Sequence, residues 1–217
     1  MGRLSSSKGF AVSKIIIAKY ARYLLVGLAI LALGACATVP TRSSPDNGAI
    51  YGYFDIPKDS IGSLDKIAIF RYPIHVKAYL GFATDLQCVI VGDAFFAYDA
   101  APGQYFIQSV VATQSGGLFT SETNNSLELV PLRIGGMTEA DKAAMKKALV
   151  TVKPGQLLYL GAQGISLEKQ AGFLSKGSFS IGPIKSPTEK EVLEKVLPAL
   201  KGTPWAEPVK ERIASLK

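Results

Sequence analysis

His75 is the only histidine in the chain, and that single count removes a large part of enzyme chemistry. Zinc-protease motifs of the H-E-x-x-H type and any multi-histidine metal site need more than one. Set in Tyr72-Pro73-Ile74-His75-Val76, the residue reads as a strand or rim position. No G-x-S-x-G elbow, phosphate-binding Walker loop or G-x-G-x-x-G turn occurs. Asp85, Asp93 and Asp99 fall close together, but calcium would need several oxygens converging at about 2.3–2.6 Å. There is no Asp-x-Asp-x-Asp-Gly loop, and Asp is a common turn former, so these residues read as turn chemistry. Cys88 lies in the strand-like run Leu86-Gln87-Cys88-Val89-Ile90-Val91. With no activating neighbour in sequence, it is expected to pack as a small apolar side chain. The sequence therefore nominates no catalytic, cofactor-binding or metal-ligating residue, and the expectation is a protein that is not an enzyme. A hydrolase with a site assembled from scattered serine–lysine or carboxylate pairs stays open as the competing class.

The other cysteine, Cys36, closes the stretch Leu31-Ala32-Leu33-Gly34-Ala35-Cys36. From Tyr23 to Ala35 no residue is charged, and Arg3, Lys8, Lys14, Lys19 and Arg22 precede that stretch with no acidic residue. A basic segment, a short apolar segment and small residues at a cut site form the layout of a secretory signal peptide. A permanent transmembrane helix needs about 20 apolar residues. Lengthening this one backwards would bury Arg22 and Lys19.

Leu33-Gly34-Ala35-Cys36 resembles the lipobox of bacterial lipoproteins. In that family the cysteine thiol takes a diacylglycerol, the chain is cut just before it, and the new amino group is acylated. The resemblance implies Cys36 as a lipidation site, with acyl chains of the palmitate kind making the membrane a partner and the bacterial cell envelope the location. One chain gives only marginal binding at about 0.8 kcal/mol per buried methylene, so two or three make a stable anchor. Ala37 stands where an Asp would follow the cysteine. By similarity to enterobacterial lipoproteins, that implies sorting to the outer membrane, facing the periplasm.

Removing residues 1–35 changes the charge argument. The whole chain is +7, from 24 basic and 17 acidic residues. Without the five basic residues of the leader the balance is 19 against 17, and the case for nucleic acid binding disappears. Thr38 to Gly48 reads TVPTRSSPDNG, a tether composition unable to bury a core. The folded part is expected to begin near Ile50.

From residue 50 to 183 the signals favour strands. Ile67 to Phe70 and Leu86 to Val91 are short β-rich runs, and Gly92-Asp93 offers a tight hairpin turn into Ala94 to Tyr98. Asn124-Asn125 is expected to turn a second hairpin, after which Leu127 and Leu129 alternate with polar residues. Pro102-Gly103 and Pro154-Gly155 each read as a turn feeding an apolar strand. Gly161-Ala162-Gln163-Gly164 reads as a bulge or turn. One helix interrupts the strands: Thr138 caps Glu139 to Leu149, with Asp141 completing an acidic variant of the capping box.

Residues 184–217 switch to helical period. Ser186-Pro187-Thr188-Glu189 reads as a capping box with Pro at the first helical position. Val192, Leu193, Val196, Leu197 and Leu200 form one apolar stripe; Trp205, Val209, Ile213 and Leu216 form another. The stripes either dock on the chain's own sheet or offer a surface for an envelope protein partner.

Gly48-Ala49-Ile50-Tyr51-Gly52, Phe96-Ala97-Tyr98 and Pro102-Gly103-Gln104-Tyr105 resemble the prealbumin-like, carboxypeptidase-regulatory type of β-sandwich. They are also similar to segments of small bacterial lipoproteins with a Pro-Gly turn before a late strand. The resemblance spans about Gly48 to Ile165, and the helix at Thr138 departs from it. It implies stability or protein contact and carries no catalytic residue.

The expected organisation is a signal peptide (1–35), a lipidated cysteine and flexible tether (36–49), a mainly β antiparallel sandwich with one inserted helix (50–183) and a C-terminal helical pair (184–217). The expected role is a non-enzymatic structural or interaction module. A small-ligand carrier or sensor is the other reading, and it requires a cavity inside the sandwich.

Overall fold

The computed structural model describes residues 39–73, 86–114, 123–130, 137–169 and 178–216. Cys36, His75 and Asp85 lie outside them. The described chain is mainly β. Its elements are β1 (Gly48–Asp55), β2 (Ser63–Tyr72), β3 (Gln87–Val91), β4 (Ala94–Ala100), β5 (Gly103–Gln114), β6 (Thr123–Glu128), α1 (Glu139–Ala148), β7 (Val150–Val152), β8 (Leu157–Lys169), β9 (Ser178–Ile184), α2 (Glu189–Val196), a 3-10 turn (Leu197–Leu200) and α3 (Ala206–Ser215). They build a five-stranded sheet, β3-β4-β1-β8-β9, and a second sheet, β2-β5-β6, in which β7 also pairs with β5.

Buried side chains sort into three clusters. Ile50, Phe54 and Phe95 of the first sheet meet Ile67, Ile69 and Val110 of the second in one core. On the opposite face of the first sheet, Tyr51, Phe96 and Tyr98 pack against Val192, Leu193, Val196 and Trp205. On the far face of the second sheet, Phe70 and Phe106 pack against Met145 of α1. Each sheet is thus covered on both faces. That is why β4, AFFAYDA, is apolar at nearly every position: with neither face wet, the period-two alternation of a half-exposed strand has nothing to maintain it.

The local reading holds at several points. Gly92 and Asp93 connect β3 to β4 with Val91 paired to Ala94, and Gly92 takes φ 60°, the positive angle that a two-residue hairpin turn asks of its first residue. Thr138 and Asp141 form the reciprocal capping box of α1. Other expectations shift. Asn124 and Asn125 do not turn a hairpin: both lie inside β6, opposite Thr113 and Ala112, and Asn125 Nδ2 donates to the Ile61 carbonyl at 2.8 Å. Their turn propensity yields to pairing along the edge of β5. The cap of α2 is Thr188, answered by Glu191, two residues beyond the expected Ser186. The five-stranded sheet is mixed, because β1 runs antiparallel to β4 and parallel to β8. A parallel pair needs a long connection between its strands, and here the second sheet and α1 supply it.

The stretch expected as free tether is partly built into the fold. Asp99, at φ 63°, accepts hydrogen bonds from Ser43 N (2.8 Å), Ser43 Oγ (3.0 Å) and Asn47 Nδ2 (2.8 Å). Trp205 Nε1 donates to the Thr41 carbonyl at 2.8 Å, and the Arg42 guanidinium lies 5.1 Å from the centre of the same indole ring. Contacts with the fold therefore reach back to Thr41, ahead of Ile50, because these polar residues satisfy one another and the indole N–H.

A candidate ligand cavity between the sheets

The same strand that supplies the core also carries a defect in pairing. Between β1 and β8 the register runs Tyr51 to Tyr159 and then Tyr53 to Ala162, so β8 spends one extra residue there. Gly161 sits in this bulge at φ 85°, a conformation that costs glycine little and other residues much. The bulge falls in the Gly161 to Gly164 stretch, as its glycines suggest. It turns Leu160, Gly161 and Gln163 toward a cavity of about 410 Å³.

Both sheets wall this space. Ile50, Phe54, Phe95 and Leu160 come from the five-stranded sheet, with Phe54 and Phe95 stacked at 5.6 Å. Ile69, Tyr105, Ile107 and Val150 come from the second sheet, and Leu129 and Ala148 flank it. Protein interiors pack at crystal-like density with few voids larger than a water molecule. The space is a groove open to solvent: Ile50, Ile69 and Phe95, none more than 1% exposed, seal its floor, and its size falls in the range of small-molecule sites, roughly 300–1,000 Å³. The walls are mostly aliphatic and aromatic. Of the polar groups, the Tyr105 hydroxyl donates to the Ala101 carbonyl at 2.8 Å and the Tyr53 hydroxyl reaches Asp93 at 3.5 Å. Lys147, from the last turn of α1, is the charged residue of the described lining. At the rim, Ile181 of β9 is 39% exposed.

Cys88, Asp93 and Asp99, the described residues among those singled out by chemical type, do not line this cavity. Cys88 packs beside the shared core, its thiol pushed up to about 12 by burial, far from the thiolate that nucleophilic chemistry requires. Asp93 occupies the second position of the β3–β4 turn and is 5% exposed. Its Oδ2 lies 3.7 Å from Lys58 Nζ, and its Oδ1 has no hydrogen-bond partner among the described residues. At Asp99 burial pushes the carboxyl upward, but the hydrogen bonds from Asn47 and Ser43 outweigh it and hold the group below the usual carboxylate range. Among the described residues no three His, Cys, Asp or Glu side chains gather in a way that could hold a metal ion, and no helix is long and apolar enough to cross a membrane.

A second dense polar cluster, besides that of Asp99, lies outside the cavity. Tyr51 Oη donates to Glu189 Oε1 at 2.5 Å, and Arg212 grips the same carboxylate through Nε at 2.8 Å and Nη2 at 3.2 Å. Burial, then the neighbouring Glu189, push the Tyr51 phenol well above its ordinary value. The neutral phenol donates, the carboxylate accepts and the guanidinium balances its charge. This cluster bolts α2 and α3 onto β1, and it uses the tyrosine as a donor in its protonated form.

The sequence marks Ile67 to Phe70, Leu129 and the runs after both Pro-Gly turns as apolar strand, which does not separate wall from filling, since Ile107 and Val110 look alike along β5. The one local signal was the glycine pair that made the bulge. In comparisons with known proteins the chain matches no protein family, no curated protein and no solved structure.

Proposed function

We propose that the protein is a lipid-anchored β-sandwich of the bacterial cell envelope that acts by binding and not by catalysis, holding a small apolar ligand between its two sheets. The observation behind the binding role is the groove between the sheets: about 410 Å³, with Ile107, Leu129, Val150 and Leu160 as half-buried walls over a floor of Ile50, Ile69 and Phe95. Each methylene moved from water into such a space contributes about 0.8 kcal/mol. The anchor is Cys36, acylated in the outer membrane and facing the periplasm. A role as a docking module for an envelope protein through α2 and α3 draws less support, because Val192, Leu193, Val196, Leu200, Trp205 and Val209 all face the chain's own sheet.

The binding role is tested with a neutral photoreactive hydrocarbon added to membranes carrying the full-length protein. Adducts on peptides from β5 and β8 are expected, and Val150→Phe, which intrudes on the cavity, is expected to reduce them. Adducts confined to residues outside the cavity would overturn the proposal. For the anchor, metabolic labelling with a fatty acid is expected to mark the wild type and not Cys36→Ser. Equal labelling of the two would remove Cys36 as the lipidation site.

A further inference from the structure

Lys147 gives the cavity a sign. Its neighbours in the lining are apolar or carry polar groups already engaged, and no carboxylate is found among the described lining residues. Lys58, Lys142 and Lys210 pair with Asp93, Glu139 and Glu207. Lys147 makes no ion pair or hydrogen bond among the described residues. It stands at the mouth with its side chain exposed, beside a cavity whose rim also displays Ile181. A lysine in this position keeps its ammonium in water while its methylene stem lies along the apolar wall.

Resting on the proposed binding role, we infer that the ligand is an amphipathic anion, a single-chain molecule with a carboxylate or similar acidic head. Its chain lies between the sheets and its head pairs with Lys147. The groove of about 410 Å³ lies in the size range of small-molecule sites, which suits one acyl chain and not a bulky ligand. A neutral hydrocarbon would leave the ammonium hydrated at the mouth and gain nothing from it. A doubly charged or cationic head would find no second partner or would be repelled. Because Lys147 is exposed, the ion pair selects among heads of similar chain length and supplies a minor part of the affinity.

The test uses two photoreactive probes of equal chain length, a diazirine fatty acid and the corresponding diazirine fatty alcohol, on the full-length protein in membranes. The acid is expected to label the β5 and β8 peptides about threefold better than the alcohol, the scale of an exposed ion pair. Lys147→Gln is expected to bring the acid down to the level of the alcohol, and Lys147→Arg to retain the preference. On an exposed helical position both substitutions leave the fold alone. Equal labelling by acid and alcohol in the wild type would overturn the assignment of the head group while leaving the apolar site standing. An acid preference that survives in Lys147→Gln would overturn the role of Lys147. If neither probe labels the cavity peptides, the binding role itself fails, and the inference with it.

Discussion

The two faces of β1 are built on opposite principles. Toward the helices, Tyr51 stacks on Phe96 (6.0 Å) and Tyr159 (5.4 Å), and Trp205 meets Phe96 edge-on at 5.7 Å. That layer is filled with buried side chains, and its polar groups are paired: the Tyr51–Glu189–Arg212 cluster, the Trp205 indole N–H with Thr41 and the Tyr98 hydroxyl with Gln87. Toward the second sheet, Ile50 and Phe54 of the same strand are buried in the shared core and form the floor of a groove of about 410 Å³, whose half-buried walls are Ile107, Leu129, Val150 and Leu160. The difference shows how a small domain can keep an open interior. A cavity forfeits dispersion contacts along its walls, and here a dense aromatic layer on the reverse side of the same strand holds the strand in place.

The largest effect is expected where the filled layer is thickest. Trp205 is fully buried, caps the aromatic stack and fixes the Thr41 carbonyl. Trp205→Ala should cost on the order of 3–5 kcal/mol, read as a large fall in the thermal midpoint. An unchanged midpoint would mean that the C-terminal helices contribute nothing to the fold. Adding volume gives the sharper contrast. Val192, buried under α2, has no room to grow, so Val192→Phe should cost about 1–3 kcal/mol through overpacking. Val150→Phe adds the same group at the cavity wall and should change stability by less than about 0.5 kcal/mol. Equal costs for the two would erase the distinction between filled and open faces.

Much of the filled layer is legible in the chain itself, because helical period and capping are local. Val192, Leu193, Val196 and Leu200 repeat at helix spacing, and Thr138 to Asp141 spells its own cap. The open layer is not legible, because a cavity is a relation among residues far apart in sequence. Ile50, Ile69, Ile107 and Leu160 come from four strands, and nothing in any one of them says whether the others close the gap. The parallel pairing of β1 with β8 is hidden for the same reason: it joins Ala49 to Leu157 across more than a hundred positions. Asn124-Asn125 misleads in the opposite direction, a strong local turn signal overruled by pairing along β5.

Polar contacts at the edge of the filled layer make smaller contributions. Tyr51→Phe removes a hydrogen bond to a carboxylate and should cost about 1.5 kcal/mol. Asp99→Asn keeps the positive φ that Asn tolerates and removes the charge that Ser43 and Asn47 recognise, for about 1 kcal/mol at neutral pH. The sign of its pH dependence follows from the depressed folded value. The stabilisation is fully present above the ordinary carboxyl value near 3.9 and fades as pH falls through the lower folded value. Midpoints of wild type and Asp99→Asn should therefore converge as pH drops below about 4. A gap that stays constant down to pH 2.5 would show that the Asp99 charge is not what holds Thr41 to Asn47.

The claim that the space between the sheets is a binding site is tested most directly by the thermal midpoint of the full-length protein with and without 1-dodecanol, a neutral chain sized to the cavity. The measurement is made at one detergent concentration in wild type and in Val150→Phe. A ligand held by the folded state at a hundred times its dissociation constant stabilises by about 2.7 kcal/mol. The account predicts a clear rise in the wild-type midpoint and a much smaller one in Val150→Phe. No rise in the wild type, or an equal rise in both proteins, would contradict it.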